Sequence, residues 1–167
     1  SVPMPPEGCT FFNFTASHDG IGMRPLEGLL PQHEKEELMK AMEQNGGLVS
    51  TRKLSDGTDA PYELNITYFD AMKQSHKGLD GFQAERFIAS QTIMMVMQGI
   101  PAFYIHSLTS TPNYYEGVKE TGRARTINRR KWELTDLEAL LQKDKTHRFI
   151  FNELKRRISI RRSLEVF

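Results

Sequence analysis

A single cysteine, Cys9, occurs in the 167 residues. An intramolecular disulfide is thereby excluded, which fits a reducing cytosol. Cys9 precedes an aromatic run and reads as a small buried side chain. Long apolar runs are also missing: nothing approaches the ~20 residues of a membrane-spanning helix, and no secretory leader is visible. Charge of one sign is not in excess. The formal net charge is +1 with 26% charged residues, so nothing global points to nucleic acid or to a membrane surface. The distribution is uneven, with 13 Lys and Arg against 6 Asp and Glu from Thr121 onward, and 9 against 15 before it. Those late basic residues interleave with apolar ones at helical spacing, which describes a solvated helix face. The one tryptophan, Trp132, belongs to no stacking series of the kind that binds single strands. There is no internal repeat and no low-complexity segment. His76 has no metal-ligand partner at helical spacing and reads as exposed.

What is present begins with residues 11–22, Phe-Phe-Asn-Phe-Thr-Ala-Ser-His-Asp-Gly-Ile-Gly. Phe11, Phe12, Phe14 and Thr15 suit a strand over about 9–17 that is packed on both faces. Ser17, His18 and Asp19 then meet Gly20 and Gly22, which let the backbone turn sharply. A carboxylate and an imidazole at the C-terminal end of a buried strand stand where parallel α/β folds place chemistry. The same pair can also serve as a turn and helix cap, and the residues alone leave both open.

Residues 31–44 form an amphipathic pattern with Leu38, Met39 and Met42 on one side and early acids at Glu34, Glu36 and Glu37. Asn45-Gly46-Gly47 is a helix stop. Residues 48–54 and 62–66 pair across a turn-rich loop, as an excursion over about 47–70. A second helix spans 82–98, apolar on every side at Ile93-Met94-Met95-Val96-Met97, with Gly99 as its cap. A further strand covers about 100–107 and ends near His106. Thr135 or Asp136 caps a helix to Gln142. Residues 143–146 break it, and a long helix follows from His147 with Phe151, Leu154 and Ile158 on one side. This alternation of helix and strand is that of a parallel α/β fold.

The Phe-Asn-Phe-Thr-Ala-Ser-His-Asp-Gly-Ile-Gly run resembles the last catalytic motif of the α-amylase superfamily of glycoside hydrolases, in the form used by its sucrose phosphorylase-like branch. Asp19 then falls on the carboxylate that holds sugar hydroxyls and stabilises the oxocarbenium-like transition state. His18 falls on a residue that binds the same ring. Tyr62-Glu63-Leu64-Asn65-Ile66-Thr67-Tyr68-Phe69 is similar to a Tyr-Gln-Val-Asn-x-Thr-Tyr-Tyr segment near the acceptor site, which brings in Tyr62 and Glu63. Glu63 replaces Gln, and Ala60-Pro61 departs as well. These departures fit a branch with another acceptor, such as the glucosylglycerate phosphorylases. Arg24 is a candidate partner for a carboxylate-bearing acceptor at the pocket mouth. Gly122-Arg123-Ala124-Arg125-Thr126-Ile127-Asn128-Arg129 resembles Gly-Arg-x-Ile-Asn-Arg, whose arginine reaches the donor sugar. It falls on Arg125, with Arg129 as runner-up. Arg130-Lys131-Trp132 stands where the family has His-Tyr-Tyr.

The resemblance implies an α/β fold: the C-terminal portion of a (β/α)8 TIM barrel, with residues 1–167 as one partial domain. Retaining glucosyl transfer needs a nucleophile and an acid/base. The family carries these on strands four and five, and nothing here matches those motifs. The expectation is therefore a fragment, beginning at Ser1 as a processed or cut piece and inactive alone. Its open sheet edges would self-associate or pair with the missing part of the barrel. The implied reaction uses a small sugar substrate, inorganic phosphate as co-substrate, no cofactor and no metal. A cytoplasmic location is implied, with no nucleic-acid or membrane partner. A non-catalytic carbohydrate-binding α/β module and a fragment of an α-glucoside hydrolase are the alternatives.

Overall fold

The computed structural model describes residues 3–165, in which short strands carry the turns and helices carry the core. Strand β1 (Phe12–Asn13) leads through a turn into β2 (Ile21–Gly22) and a single 3-10 turn, Arg24–Leu26. Helix α1 (Gln32–Gln44), strands β3 (Leu48–Lys53) and β4 (Asp59–Asn65), the short α2 (Tyr68–Ala71) and helix α3 (Gln83–Val96) follow. After β5 (Ile100–Pro101) the chain is helical. It forms α4 (Ile105–Leu108), α5 (Tyr115–Thr121), a 3-10 helix at Ala124–Asn128, α6 (Leu134–Lys143) and α7 (Lys145–Ser163). No helix among the described residues is long and apolar enough to cross a membrane.

β1 and β5 pair in parallel, Phe12 opposite Ile100 and Asn13 opposite Pro101. The Ile100 N–H donates to the Phe11 carbonyl and the Ala102 N–H to the Asn13 carbonyl, both at 2.8 Å, the slanted pattern of parallel strands. Gly99 precedes this pair at φ +117°, with the Phe11 carbonyl so close that no Cβ fits. A separate antiparallel sheet runs β2-β4-β3. β3 and β4 form the hairpin their sequence predicts, with a register shift between Ser50 and Thr51. α1 stops at Asn45, where Gly46 takes φ +88°, a left-handed conformation that glycine adopts without steric cost.

The core lies where α2, α3 and α7 meet. Phe69, Phe87, Ile88, Met94, Met95, Ile150 and Leu154 are its buried members. Ile150 and Leu154 stand four apart on α7 and share one face. Phe69 meets Phe87 edge-on at 5.6 Å. Each such fully buried side chain contributes about 1.5–3 kcal/mol of hydrophobic stabilisation.

Several expectations need correction. Of the strand expected over 9–17, only Phe12–Asn13 forms a strand. It is not packed on both faces, since Phe12 and Phe14 are 65% and 54% exposed. β5 is β1's only strand partner among the described residues. The strand expected over 100–107 stops at Pro101, and His106 lies in α4 rather than at a strand end. The apolar run 100–105 carries no period that separates strand from helix. Cys9 is exposed. α3 ends at Val96 with Met97 as its cap, so Gly99 serves the close approach of β1 instead. Only two of the five residues in the methionine run are covered: Met94 and Met95 are buried, while Ile93, Val96 and Met97 are exposed. α6 begins at Leu134 with no side-chain cap from Thr135 or Asp136. The break before α7 is one residue, Asp144, which accepts from the Thr146 and His147 N–H groups.

Candidate functional site

Residues 17–20 turn at the C-terminal end of β1, and side chains from two distant segments, β4 and residues 125–129, hold them. The Asn128 Nδ2 donates to the Asp19 carbonyl at 2.9 Å and to the Ser17 carbonyl at 3.4 Å. The Arg129 Nε donates to the His18 carbonyl at 2.6 Å. Within the turn, the Asp19 N–H donates to Ser17 Oγ at 3.2 Å. Three successive carbonyls are thus tied to one segment more than a hundred residues away.

The Asp19 carboxylate is held through one oxygen. Its Oδ1 lies 2.9 Å from Arg125 Nη1 and 3.3 Å from Arg129 Nη2. Oδ2 accepts no hydrogen bond from the described residues. Arg125 also donates from Nε to Glu63 Oε2 at 2.9 Å, while Glu63 Oε1 accepts the Gly20 N–H at 3.1 Å. Glu63 reaches this place from β4, the middle strand of its sheet, where it pairs opposite Gly22 and Ser50. Its side chain is 5% exposed against 44% for Asp19. The Glu63 hydrogen bond and charge, with a further contribution from Asp19, push the Arg125 pKa above its already high ordinary value. The guanidinium is therefore a permanent cation.

A cavity of about 200 Å³ opens beside this turn, lined among others by Thr15, Ser17, Asp19, Tyr68, His106 and Asn128. Tyr104 donates from its hydroxyl to the Asn128 carbonyl at 2.8 Å. His106 is buried and bonded through Nδ1 to Thr111 Oγ1 at 3.1 Å. Burial holds its pKa below the ordinary value, so it faces the cavity as a neutral ring. Asn128 Oδ1 is buried without a partner. Among the described residues no group of three His, Cys, Asp or Glu could hold a metal ion.

Of the residues singled out from sequence, the structure brings Asp19, Glu63 and Arg125 into one chain of contacts. Arg129 joins them, and both guanidiniums meet the same Asp19 oxygen. His18 is beside Asp19, its Nε2 3.7 Å from Oδ1, with a side chain 70% exposed. Tyr62 and Arg24 are exposed and do not line the cavity. Arg24 forms no ion pair among the described residues, and Glu27 pairs with Arg52 at 3.8 Å instead. Sequence reasoning missed Asn128, Ser17 and Gly20 as parts of the site. The position of Asn128 within the same arginine segment was the available signal.

No protein-family model matches the chain. Among curated proteins it is 41% identical over 168 residues to the glucosylglycerate phosphorylase of Escherichia coli (strain K12), covering 100% of this chain and 30% of that protein. The glucosylglycerate phosphorylase of Spirochaeta thermophila is 39% identical over 160 residues, with 95% and 27% covered. The crystal structure of sucrose 6F-phosphate phosphorylase from Thermoanaerobacter thermosaccharolyticum matches with a TM-score of 0.76 at 28% identity, over 92% of this chain and 30% of that one. This chain is a homologue of the sucrose phosphorylase-like enzymes. It spans about 30% of the length of these relatives. Its departure at Arg130-Lys131-Trp132 from the sucrose phosphorylase-like His-Tyr-Tyr is taken up by packing. The Arg130 guanidinium sits 3.9 Å over the Trp132 ring, a cation–π contact, and Trp132 Nε1 donates to Thr111 Oγ1 at 3.1 Å.

Proposed function

We propose that this chain is the C-terminal barrel segment of a retaining glycoside phosphorylase, which transfers the glucosyl group of an α-glucoside to inorganic phosphate and releases glucose 1-phosphate. Glucosylglycerate is the substrate favoured by the relatives' names. One observation carries the reading: a carboxylate at the end of a parallel strand, oriented by two guanidiniums and presented at a cavity. In the proposed mechanism a carboxylate nucleophile outside this chain attacks C1 as an acid protonates the leaving oxygen. Phosphate then displaces that carboxylate from C1. Asp19 holds ring hydroxyls through Oδ2 and opposes the positive charge that develops at C1. His18 contacts the same ring, and Arg125 keeps a fixed positive charge beside the donor sugar. Tyr62 and Arg24 serve the acceptor side. No cofactor is required, and the location is cytoplasmic. The exposure of Phe12, Phe14 and Ile100 beside the β1–β5 pair supports pairing of this segment with the rest of a barrel and, in its absence, self-association and loss of activity.

The test is an assay of the full-length enzyme with inorganic phosphate and either glucosylglycerate or sucrose. The expected product is α-glucose 1-phosphate, formed faster from glucosylglycerate. Free glucose as the sole product would make the protein a hydrolase. Sugar binding without turnover of any α-glucoside would make it a carbohydrate-binding module.

A further inference from the structure

We infer that Glu63 is a positioning residue, which sets the Arg125 side chain, and through it the Asp19 carboxylate, without meeting substrate itself. The inference deepens the phosphorylase reading and rests on it. Three contacts and one peptide bond close a ring. Glu63 Oε1 accepts the Gly20 N–H at 3.1 Å and Oε2 accepts Arg125 Nε at 2.9 Å. Arg125 Nη1 reaches Asp19 Oδ1 at 2.9 Å, and the peptide bond joins Asp19 to Gly20. Both Glu63 oxygens are engaged within the protein, and its side chain is 5% exposed, which leaves little surface for a ligand to reach. The ring needs glycine at position 20, where a Cβ would sit 2.5 Å from Glu63 Cγ and 2.6 Å from the Leu64 carbonyl.

The ring also needs a carboxylate at position 63. Two N–H donors point at the two oxygens. A glutamine of the same shape has one acceptor and one donor end, so it satisfies either Gly20 or Arg125 and opposes the other. With Arg125 released, the Asp19 carboxylate keeps the longer Arg129 contact, 3.3 Å, and the exposed His18 Nε2 at 3.7 Å. Asp19 opposes the charge at C1 in both glucosyl transfers, whichever group leaves or enters, so the ring acts with or without an acceptor present. A residue that touched the acceptor would act only when the acceptor takes part.

The experiment uses the full-length enzyme and Glu63→Gln. Hydrolysis of glucose 1-phosphate, with no acceptor present, is compared with phosphorolysis of glucosylglycerate. The expected result is that kcat of both falls by the same factor, about 10–100-fold, with KM for glucosylglycerate changed less than about threefold. In an Arg125→Met background, Glu63→Gln should add less than about twofold, because the two residues act as one unit. A loss confined to phosphorolysis, with glucose 1-phosphate hydrolysis intact, overturns the inference and places Glu63 against the acceptor. The Arg125 Nε–H resonance in 15N NMR provides a reading without catalysis. It should be protected from exchange in the parent protein and lost to exchange in Glu63→Gln. If the parent enzyme shows no phosphorolysis, the functional reading fails and this resonance still decides. Protection that survives Glu63→Gln overturns the ring.

Discussion

Replacing Asp19 by asparagine separates a catalytic role from a structural one. The amide keeps the shape of the side chain, and its oxygen can still accept from Arg125 and Arg129 at the Oδ1 position. What is lost is the negative charge and the Oδ2 acceptor, the one oxygen without a protein partner. Asp19 is 44% exposed, and ion pairs at that exposure contribute little to folding. The melting temperature should therefore move by less than about 4 °C for a chain of this size. The transition state should lose much more. Removing one fixed group aimed at developing charge costs about 10²–10³ in kcat, or about 2.7–4 kcal/mol. The assay is kcat/KM for phosphorolysis of glucosylglycerate by the full-length enzyme, with melting followed by circular dichroism. An activity within tenfold of the parent would refute the role given to Asp19. A fall in activity together with a drop of more than about 10 °C would make the residue a structural one.

Leu154→Ala empties a fully buried position between α3 and α7 and should cost about 2–5 kcal/mol, read as a lower urea midpoint at unchanged slope. Gly99→Ala places a Cβ against the Phe11 carbonyl at φ +117° and should break the β1–β5 pair. The Ile100 amide, which donates to Phe11, should then exchange with solvent much faster than in the parent, and unchanged protection would refute this. Burial holds His106 and His147 below their ordinary pKa, despite the opposing charges of Asp144 and Asp70 around His147. The unfolded chain therefore takes up these protons first. Stability is level above about pH 7 and falls as pH drops through about 6.5 toward the folded values. Asp70, raised by its own burial, works in the opposite sense at lower pH. Urea midpoints that stay constant or rise between pH 7 and pH 5.5 would refute the pH argument.

Much of the fold can be read from local pattern. The α1 stripe with its Asn45-Gly46 stop, the β3–β4 hairpin, and the α3 and α7 faces are each written into ten to twenty consecutive residues, and each forms. The strands flanking the site are less legible. An apolar run such as 100–105 is compatible with strand or helix, and only its neighbour decides. Pairing with β1 takes Ile100 and Pro101, and the following residues turn into α4. Phe12 and Phe14 look buried by composition, yet exposure depends on what packs beside them.

The sequence by itself determined the chemistry available: a carboxylate in a glycine-loosened turn, an acidic residue in the second arm of a hairpin, and an arginine-rich segment a hundred residues after the turn. The tertiary structure alone decided how these groups are paired. Glu63 could have faced an acceptor, but β4 lies under the turn and buries its carboxylate between the Gly20 N–H and Arg125. Arg125 and Arg129 looked like alternatives, and both meet one Asp19 oxygen. Asn128 drew no notice as a lone amide, yet it holds two of the three carbonyls of the turn. Hydrogen bonds and ion pairs act over about 3 Å, and residues 19, 63 and 125 come within that distance only when a parallel strand pair, a hairpin and a 3-10 helix meet at one corner.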